Sequence, residues 1–299
     1  MKTIVRTNAI YYMSKKHPPV AWCKSGEQVT FETYDCYNNQ IIKDNQPSDI
    51  IDEDLSNPAT GPLFIEGAEV GDILKVSILD IKINKTAVMS THPNYGVLGD
   101  HLAKAQSKIF TIENDHVIFN DKIQIPVNPM IGVIGTAPAE ENIQTIVPDM
   151  HGGNMDCKRI VKGATVYLPV FAEGALLAMG DLHAVMGDGE IVICGMETDG
   201  AITVQVDVIK GISLPLPIVA EGEHIMTLAS KKTLDEAGRQ ATINMHQILC
   251  GQLNMDANEA GMLLSLVGDL KICQVVDPLM TARMEFPISI LDQYGYKLP

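Results

Sequence analysis

The sequence predicts a mainly β protein, a sandwich or barrel, with a small α+β unit added after about residue 221. Three observations predict it. Apolar residues alternate with a period of two along several segments of the first two thirds. Short turns rich in Gly, Pro, Asn and Asp separate those segments. A helical apolar period appears only beyond them. The division expected is a β-rich region of interleaved modules over 1–220 and an α+β subdomain over 221–299.

Taken in chain order, residues 44–58 are rich in Asp, Asn, Ser and Pro and read as an extended surface loop. Gly67 to Asp72 is a turn feeding a strand from Leu74 to Ile83. Within that strand the alternation changes phase, Val76 and Ile78 being followed by Ile81 and Ile83, which predicts a bulge near Leu79. Val117 and Phe119, then Ile123, Ile125 and Val127, flank Asn120-Asp121-Lys122 as a hairpin would. Ile202, Val204, Val206 and Val208 alternate with polar residues as a half-buried strand. Thr233 and Glu236 then make a capping box, and Leu234, Ala237, Ala241, Met245, Ile248 and Leu249 share one helical face that ends near Gly251. Asp256 and Glu259 open a second helix carrying Ala260, Leu263, Leu264 and Val267, with Gly268 to close it. Lys271 to Val276 and Met284 to Ile290 read as strands.

Composition narrows the function. A chain of 299 residues is long enough to bury a sizeable core, and 46% hydrophobic against 20% charged residues is globular, not disordered. A formal net charge of -15 argues against nucleic acid and anionic membrane as partners, since both need a basic face. Met1 to Arg6 shows no apolar leader, and no run approaches the ~18 uncharged residues needed to cross a bilayer. The six cysteines, at 23, 36, 157, 194, 250 and 273, include no Cys-x-x-Cys pair, so they are expected to be reduced, as in a cytoplasmic protein.

Chemistry concentrates in a few segments. Gly180 to Glu190 holds three acids and an imidazole between apolar stretches. In an extended chain Asp181 and His183 leave the same face, where a carboxylate and an imidazole can bind a metal or move a proton. Gly187 and Gly189 permit a turn that returns Glu190 to that face, while Asp188 reads as ordinary turn chemistry. A second segment, Pro148 to Asp156, contains His151-Gly152-Gly153-Asn154-Met155-Asp156. Paired glycines suit neither helix nor strand interior, and they can expose backbone N–H groups beside His151, Asn154 and Asp156. Weaker signals are Thr91 to His101, with two histidines near Pro93, and Glu32-Thr33-Tyr34-Asp35. His17, His116, His224 and His246 lie in turn, hairpin or helix contexts and read as structural. Nucleotide-binding glycine loops, His-Glu-x-x-His and Gly-x-Ser-x-Gly are absent, which lowers nucleotide enzymes, zincins and serine hydrolases.

In order along the chain, Gly61-Pro62-Leu63-Phe64-Ile65-Glu66-Gly67-Ala68-Glu69-Val70-Gly71-Asp72, the His151 to Asp156 run, and Pro169-Val170 through Gly174-Ala175-Leu176 into Gly180–Glu190 resemble the acetamidase/formamidase family of amide hydrolases. The resemblance implies a jelly-roll-like β-sandwich with a second small β module and a C-terminal α+β unit. It also implies a cytosolic homodimer or higher oligomer that hydrolyses a short aliphatic amide to carboxylate and ammonia, with zinc or calcium as a plausible cofactor. Asp181, His183 and Glu190 match the family's acid/imidazole run, and His151, Asn154 and Asp156 its Gly-Gly-Asn loop. Amide hydrolysis needs activated water, a stabilised oxyanion and a proton for the departing nitrogen. The expected assignment is a divalent metal on Asp35, His151, Asp181 and His183. Glu190 is the expected proton shuttle, Asn154 and Asp156 are further catalytic groups, and the Gly152 and Gly153 amides contact the oxyanion. The competing reading is a non-catalytic β-sandwich with structural calcium, for which Asp52-Glu53-Asp54 offers hard oxygen ligands. Calcium alone does not call for the imidazole that both loaded loops contain.

Overall fold

The computed structural model describes residues 2–47, 51–140 and 142–299. They form a mainly β molecule built on two large sheets, one nine-stranded and one eleven-stranded, with three α-helices near the C-terminal end. The nine-stranded sheet runs in the order Lys2–Ile4, Gln28–Thr33, Gly200–Ile209, Ile73–Ile83, Thr165–Pro169, Ile218–Glu221, His224–Lys231, Met280–Pro287, Asp269–Gln274. Strands from both sides of residue 220 therefore share one sheet, Ile218–Glu221 being hydrogen-bonded to His224–Lys231.

The second sheet is organised around Leu177–His183, buried along its whole length. It pairs with Met130–Gly135 on one side, and with Ala59–Glu66 and Glu197–Thr198 on the other. Burial on both faces explains why this segment reads as a continuous apolar run instead of an alternation. Val29, Phe31, Leu74, Val76, Val204 and Val206 of the first sheet pack against Leu63, Ile65, Ile131, Leu177, Met179 and Leu182 of the second. Apolar area removed from water there stabilises the fold by about 25 cal/mol per Å².

Local predictions hold in detail. Ile73–Ile83 is one strand, and its register against Gly200–Ile209 jumps from Ile78↔Val204 to Asp80↔Thr203, leaving Leu79 as the extra residue of a bulge. His116–Asn120 and Ile123–Pro126 form the hairpin, with the Asn120 side-chain oxygen accepting from the Lys122 and Ile123 amides. Helix α1 (Leu234–Gln252) carries the Thr233/Glu236 capping box and buries Ala241, Met245, Ile248 and Leu249 against Ile225, Met284 and Phe286. It passes through Gly251, and the Leu253 amide closes it on Leu249. The Asp256 carboxylate caps α2 (Ala257–Val267) by accepting from Asn258 and Glu259.

Two expectations change. The strand expected over Met284 to Ile290 is Met280–Pro287, and Ile288 to Ile290 begin α3 (Ile288–Gln293), because Pro287 has no N–H with which to extend the ladder. In the 44–58 loop, Glu53–Leu55 is a short 3-10 turn capped by Asp52, and residues 48–50 lie outside the described residues.

The hairpin of Asp269–Gln274 and Met280–Pro287 is also tied to the Gly180–Glu190 segment. Gly189 donates to the Cys273 carbonyl oxygen at 2.8 Å and accepts from the Val275 amide at 3.2 Å. The buried Arg283 guanidinium donates to both Asp188 oxygens, at 2.8 and 3.0 Å, and Lys158 adds a third contact at 2.9 Å. Asp188 is thus more than a turn residue: it pairs the charge of Arg283, which would be costly to bury alone. The six cysteines are free.

Candidate active site

The site forms where three buried strands meet at Gly132. Asp181 lies opposite Gly132, between the register pairs Ile131↔Leu182 and Val133↔Gly180. Asp156 follows the strand Gly152–Asn154, and its amide donates to the Gly132 carbonyl oxygen at 3.4 Å. A Cβ on residue 132 would sit 2.4 Å from Asp181 Oδ2 and 2.5 Å from Asp156 Oδ1, so only glycine leaves room for both carboxylates. His183 lies two residues beyond Asp181, with its ring against Gly195, where a Cβ would come within 2.5 Å of Nδ1. Its Nε2 is 3.1 Å from Glu197 Oε1, 3.4 Å from Asp181 Oδ1 and 3.8 Å from Asp156 Oδ1. Glu197 enters from the adjoining strand, in register with His183.

Glu190 reaches the cluster from the turn after Gly189, where Ile193 donates back to its carbonyl oxygen at 2.9 Å. The Thr91 to His101 segment braces that turn, Val97 donating to the Ile191 carbonyl oxygen at 2.8 Å. Asp156, Asp181 and Glu190 all adopt left-handed backbone, with φ of 42°, 56° and 50°. Non-glycine residues pay roughly 1 kcal/mol or more for that conformation, and strain of this kind concentrates at functional sites.

Burial dominates the electrostatics. It raises Asp156 and Glu190 well above the usual carboxyl range; neighbouring acids add to the rise, and His183 opposes it. It lifts Glu197 to about 7, again against the pull of His183. Burial disfavours charge on His183, yet Glu197 and Asp181 outweigh it and hold the imidazole well above its ordinary value.

The structure thus brings Asp156, Asp181, His183 and Glu190 together. It does not bring the other expected residues to the same point. The Asp35 carboxylate is engaged by the Tyr37 and Asn39 amides, at 3.0 and 2.6 Å, and builds a turn. His151 packs on Gly135 and Gly153, three residues along the strand from Gly132 and hence about 10 Å away. Burial lowers its pKa to about 4, so it is neutral. Gly152 spends its N–H on the Asp149 carbonyl oxygen, and Gly153 pairs with Ile134, so this glycine pair serves close backbone approach. Asn154 Nδ2 donates to Asp277 Oδ2 at 3.0 Å, so Asn154 orients that acid instead of presenting an N–H to an oxyanion.

Three residues escaped the sequence reading. Glu197 and Cys36 each join a cluster of potential metal ligands, and Asp277 arrives from the C-terminal hairpin. Burial and the neighbouring Asp156 raise Asp277 well above the usual range. Glu197 could have been noticed as the one acid in the apolar run before Thr198, whereas nothing local marks Asp277.

Two sets of donor atoms lie within 4.8 Å of one another: Asp156, His183 and Glu190, and Cys36, Asp181 and Glu197. Among the described residues, both Asp156 oxygens, Asp181 Oδ1, Glu190 Oε2, Glu197 Oε2 and both His183 nitrogens are buried without a hydrogen-bond partner. Orphaned buried polar atoms are costly, and an oxygen-plus-imidazole set of this kind fits a divalent cation. Asp52, Glu53 and Asp54 belong to neither set. A cavity lined by Val70, Phe171, Leu216 and Gln240 contains none of the clustered residues.

The chain matches the profile described as "Acetamidase/Formamidase family" over residues 12–144 and 139–293. It is 28% identical to a formamidase from Methylophilus methylotrophus, covering 91% of this chain and 82% of that one. An acetamidase structure from Bacillus halodurans superposes with a TM-score of 0.97 at 48% identity, covering 98% and 100% of the two chains. The crystal structure of a predicted acetamidase/formamidase from Thermoanaerobacter tengcongensis superposes with a TM-score of 0.97 at 44% identity, covering 99% of each.

Proposed function

The chain belongs to the acetamidase/formamidase family and is an amide hydrolase; on that footing we propose that it cleaves short aliphatic amides to carboxylate and ammonia with a divalent cation held by Asp156, His183 and Glu190. The observation that carries this reading is the cluster of Asp156 and Asp181, which meet at Gly132, with His183, Glu190 and Glu197, in which both Asp156 oxygens and one oxygen of each other acid are buried without a hydrogen-bond partner among the described residues. A cation held there would supply electrophilic polarisation of a carbonyl and activation of water. The names formamidase and acetamidase among the relatives support a one- or two-carbon amide.

The protein's own groups account for the rest. Asp181 and Glu197 lie 3.4 and 3.1 Å from His183 Nε2, so their carboxylates adjoin the proposed cation position and favour a dication there. Asp277 is the group best placed to move a proton: Asn154 holds one of its oxygens, burial raises its pKa well above the carboxyl range, and it is in neither ligand set. It would deliver a proton to the departing nitrogen and recover one from water. Glu190, a shuttle in the sequence reading, joins the ligands because its oxygen lies within reach of Asp156 and His183.

Among the described residues no helix is long and apolar enough to cross a membrane, and the free cysteines support a cytoplasmic setting. The exposed apolar side chains of Met262, Leu266 and Leu270 support a homo-oligomer. Ammonia release from formamide and acetamide, measured beside bound metal, tests the reading. Activity should follow bound dication and vanish on chelation, and Asp277→Asn should keep the metal while losing kcat. Full turnover by metal-free protein would overturn it.

A further inference from the structure

The cavity that lies apart from the acid cluster is built like a binding site. It encloses about 640 Å³, within the roughly 300–1,000 Å³ range of small-molecule sites. Ile73, Val170, Phe171, Leu214 and Leu216 supply apolar wall. Helix α1 adds Gln240, Asn244 and Gln247, whose helical spacing puts three carboxamides on one face. Gln240 Nε2 donates to Asn244 Oδ1 at 2.8 Å, which leaves Gln240 Oε1 and Asn244 Nδ2 for a further partner. Asn244 is 7% exposed, so bulk water is a poor partner for its remaining donor. Charges in the wall cancel: Lys210 holds Asp72 at 2.7 Å, while Asp149 and Lys231 contribute one charge of each sign.

The same wall leads to Asp277 by two routes. Ser230 belongs to it, and its hydroxyl oxygen lies 2.9 Å from that of Thr281. Thr281 Oγ1 accepts from Gln274 Nε2 at 3.2 Å, and Gln274 Oε1 accepts from the Asp277 amide at 3.0 Å. Ser230, Thr281 and Gln274 are all buried, so water does not interrupt the chain. Asp149 and Met150 belong to the wall as well. Asp149 exchanges backbone hydrogen bonds with Gly152 at 2.8 and 3.0 Å, two residues before the Asn154 that holds the Asp277 carboxylate.

We infer that this cavity is a second ligand site, taking an uncharged primary amide with a bulky apolar body, and that its occupant slows turnover by shifting Asp277. Carboxamides recognise an amide because each side offers both a donor and an acceptor. A neutral ligand follows from the cancelling charges, since a carboxylate or ammonium brought there would be desolvated without a counter-ion. The coupling rests on the proton-carrying role proposed for Asp277; the binding does not. Asp277 is held at its amide through Gln274 and at its carboxylate through Asn154, and the wall adjoins both attachments. A ligand that moves the wall therefore moves the acid through a contiguous hydrogen-bonded network.

The test uses phenylacetamide as the probe, with titration calorimetry for binding and acetamide turnover for coupling. The probe is expected to bind in a single site per chain and to lower kcat about threefold, a small part of the about 100-fold that a 1 Å misplacement costs. Asn244→Leu removes a carboxamide, and Ile212→Trp fills the cavity from a position that is 36% exposed. Both should bind the probe about tenfold more weakly, the equivalent of one lost hydrogen bond, with turnover in its absence unchanged. Thr281→Val should keep the binding and lose the effect on kcat. Equal binding by the unaltered protein and both variants, or a rise in KM with kcat unchanged, puts the probe elsewhere and overturns the site. Phenylacetate bound as tightly as phenylacetamide overturns the amide class. Binding without a fall in kcat, or a fall that persists in Thr281→Val, overturns the coupling. Calorimetry needs no turnover, so full activity of Asp277→Asn would remove the catalytic reading while leaving the binding result intact. Should Asn244→Leu fail to fold, the substitution at the more exposed Ile212 decides the matter.

Discussion

Gly132→Ala tests the site by adding a single carbon. No unusual backbone dihedral is at stake, because Gly132 is not among the glycines in the left-handed region. The new Cβ would lie 2.4 Å from Asp181 Oδ2 and 2.5 Å from Asp156 Oδ1, whereas unstrained contacts begin near about 3.5 Å. One or both carboxylates must therefore retreat by about 1 Å in an interior with little free volume. A displacement of that size at a reacting centre costs about 100-fold in rate. Overpacking costs about 1–3 kcal/mol, partly offset by about 0.5 kcal/mol from a stiffer unfolded chain, so the fold survives. The expected outcome is kcat/KM for acetamide or formamide lowered about 100-fold, weakened metal retention and a modest fall in Tm. Gly251→Ala serves as the control, since nothing lies within 4 Å of its added carbon and it sits inside α1. It should raise Tm and leave kcat/KM unchanged. If Gly132→Ala retains wild-type kcat/KM and metal content, the carboxylates do not work from the positions described.

Asp188→Ala should destabilise by about 2 kcal/mol, because it removes the two-pronged partner of the buried Arg283 and leaves Glu285 alone to pair it, and should also depress activity through the loop bearing Glu190; denaturant melts and ammonia release measure both, and an unchanged midpoint would contradict the pairing. Thr233→Ala removes half of the α1 capping box and should cost about 1 kcal/mol with no change in kcat/KM, read by urea unfolding beside steady-state kinetics. In chelated protein, burial holds the Asp35 carboxyl up at about 6 against an ordinary 3.8. Its folded pKa exceeds its unfolded one, so its contribution to stability is whole below about pH 4 and is lost as pH rises through about 6, a swing of roughly 3 kcal/mol. Asp35→Asn keeps the oxygen that the Tyr37 and Asn39 amides need but should remove that pH dependence from equilibrium unfolding; an identical slope in both proteins would refute the assignment.

Much of this molecule was legible because short-range rules govern it. The phase change at Leu79, the Thr233/Glu236 box and the Asn120 turn are each set by neighbours within a few residues, and each is found where expected. Asp181 and His183 could be paired because residues two apart along a strand share a face. The glycine pair at 152–153 marked a special backbone correctly, but the same glycines fit a close approach to the Ile134 and Val147 carbonyl oxygens as well as an exposed amide pair. Sequence cannot separate those uses, since the difference lies in what stands opposite. Sequence pointed to Asp35, whereas the neighbouring Cys36 has the donor atom close to Asp181 and Glu197, because the turn that redirects the chain depends on the two left-handed asparagines after it. Asp277 was invisible for a larger reason: it reaches Asn154 only after two distant strands have docked on the Gly189 loop.

The three left-handed acids bear on how this protein responds to selection. At Asp156, Asp181 and Glu190 the backbone asks for glycine or asparagine while the chemistry asks for a carboxylate. Each replacement would relieve both the torsional cost and the mutual repulsion of buried acids. A screen that rewards thermal survival alone is therefore expected to enrich replacements at these three positions whatever their effect on turnover. Any programme to harden this scaffold needs turnover in the same round of sorting, with residues 156, 181 and 190 held fixed in the library.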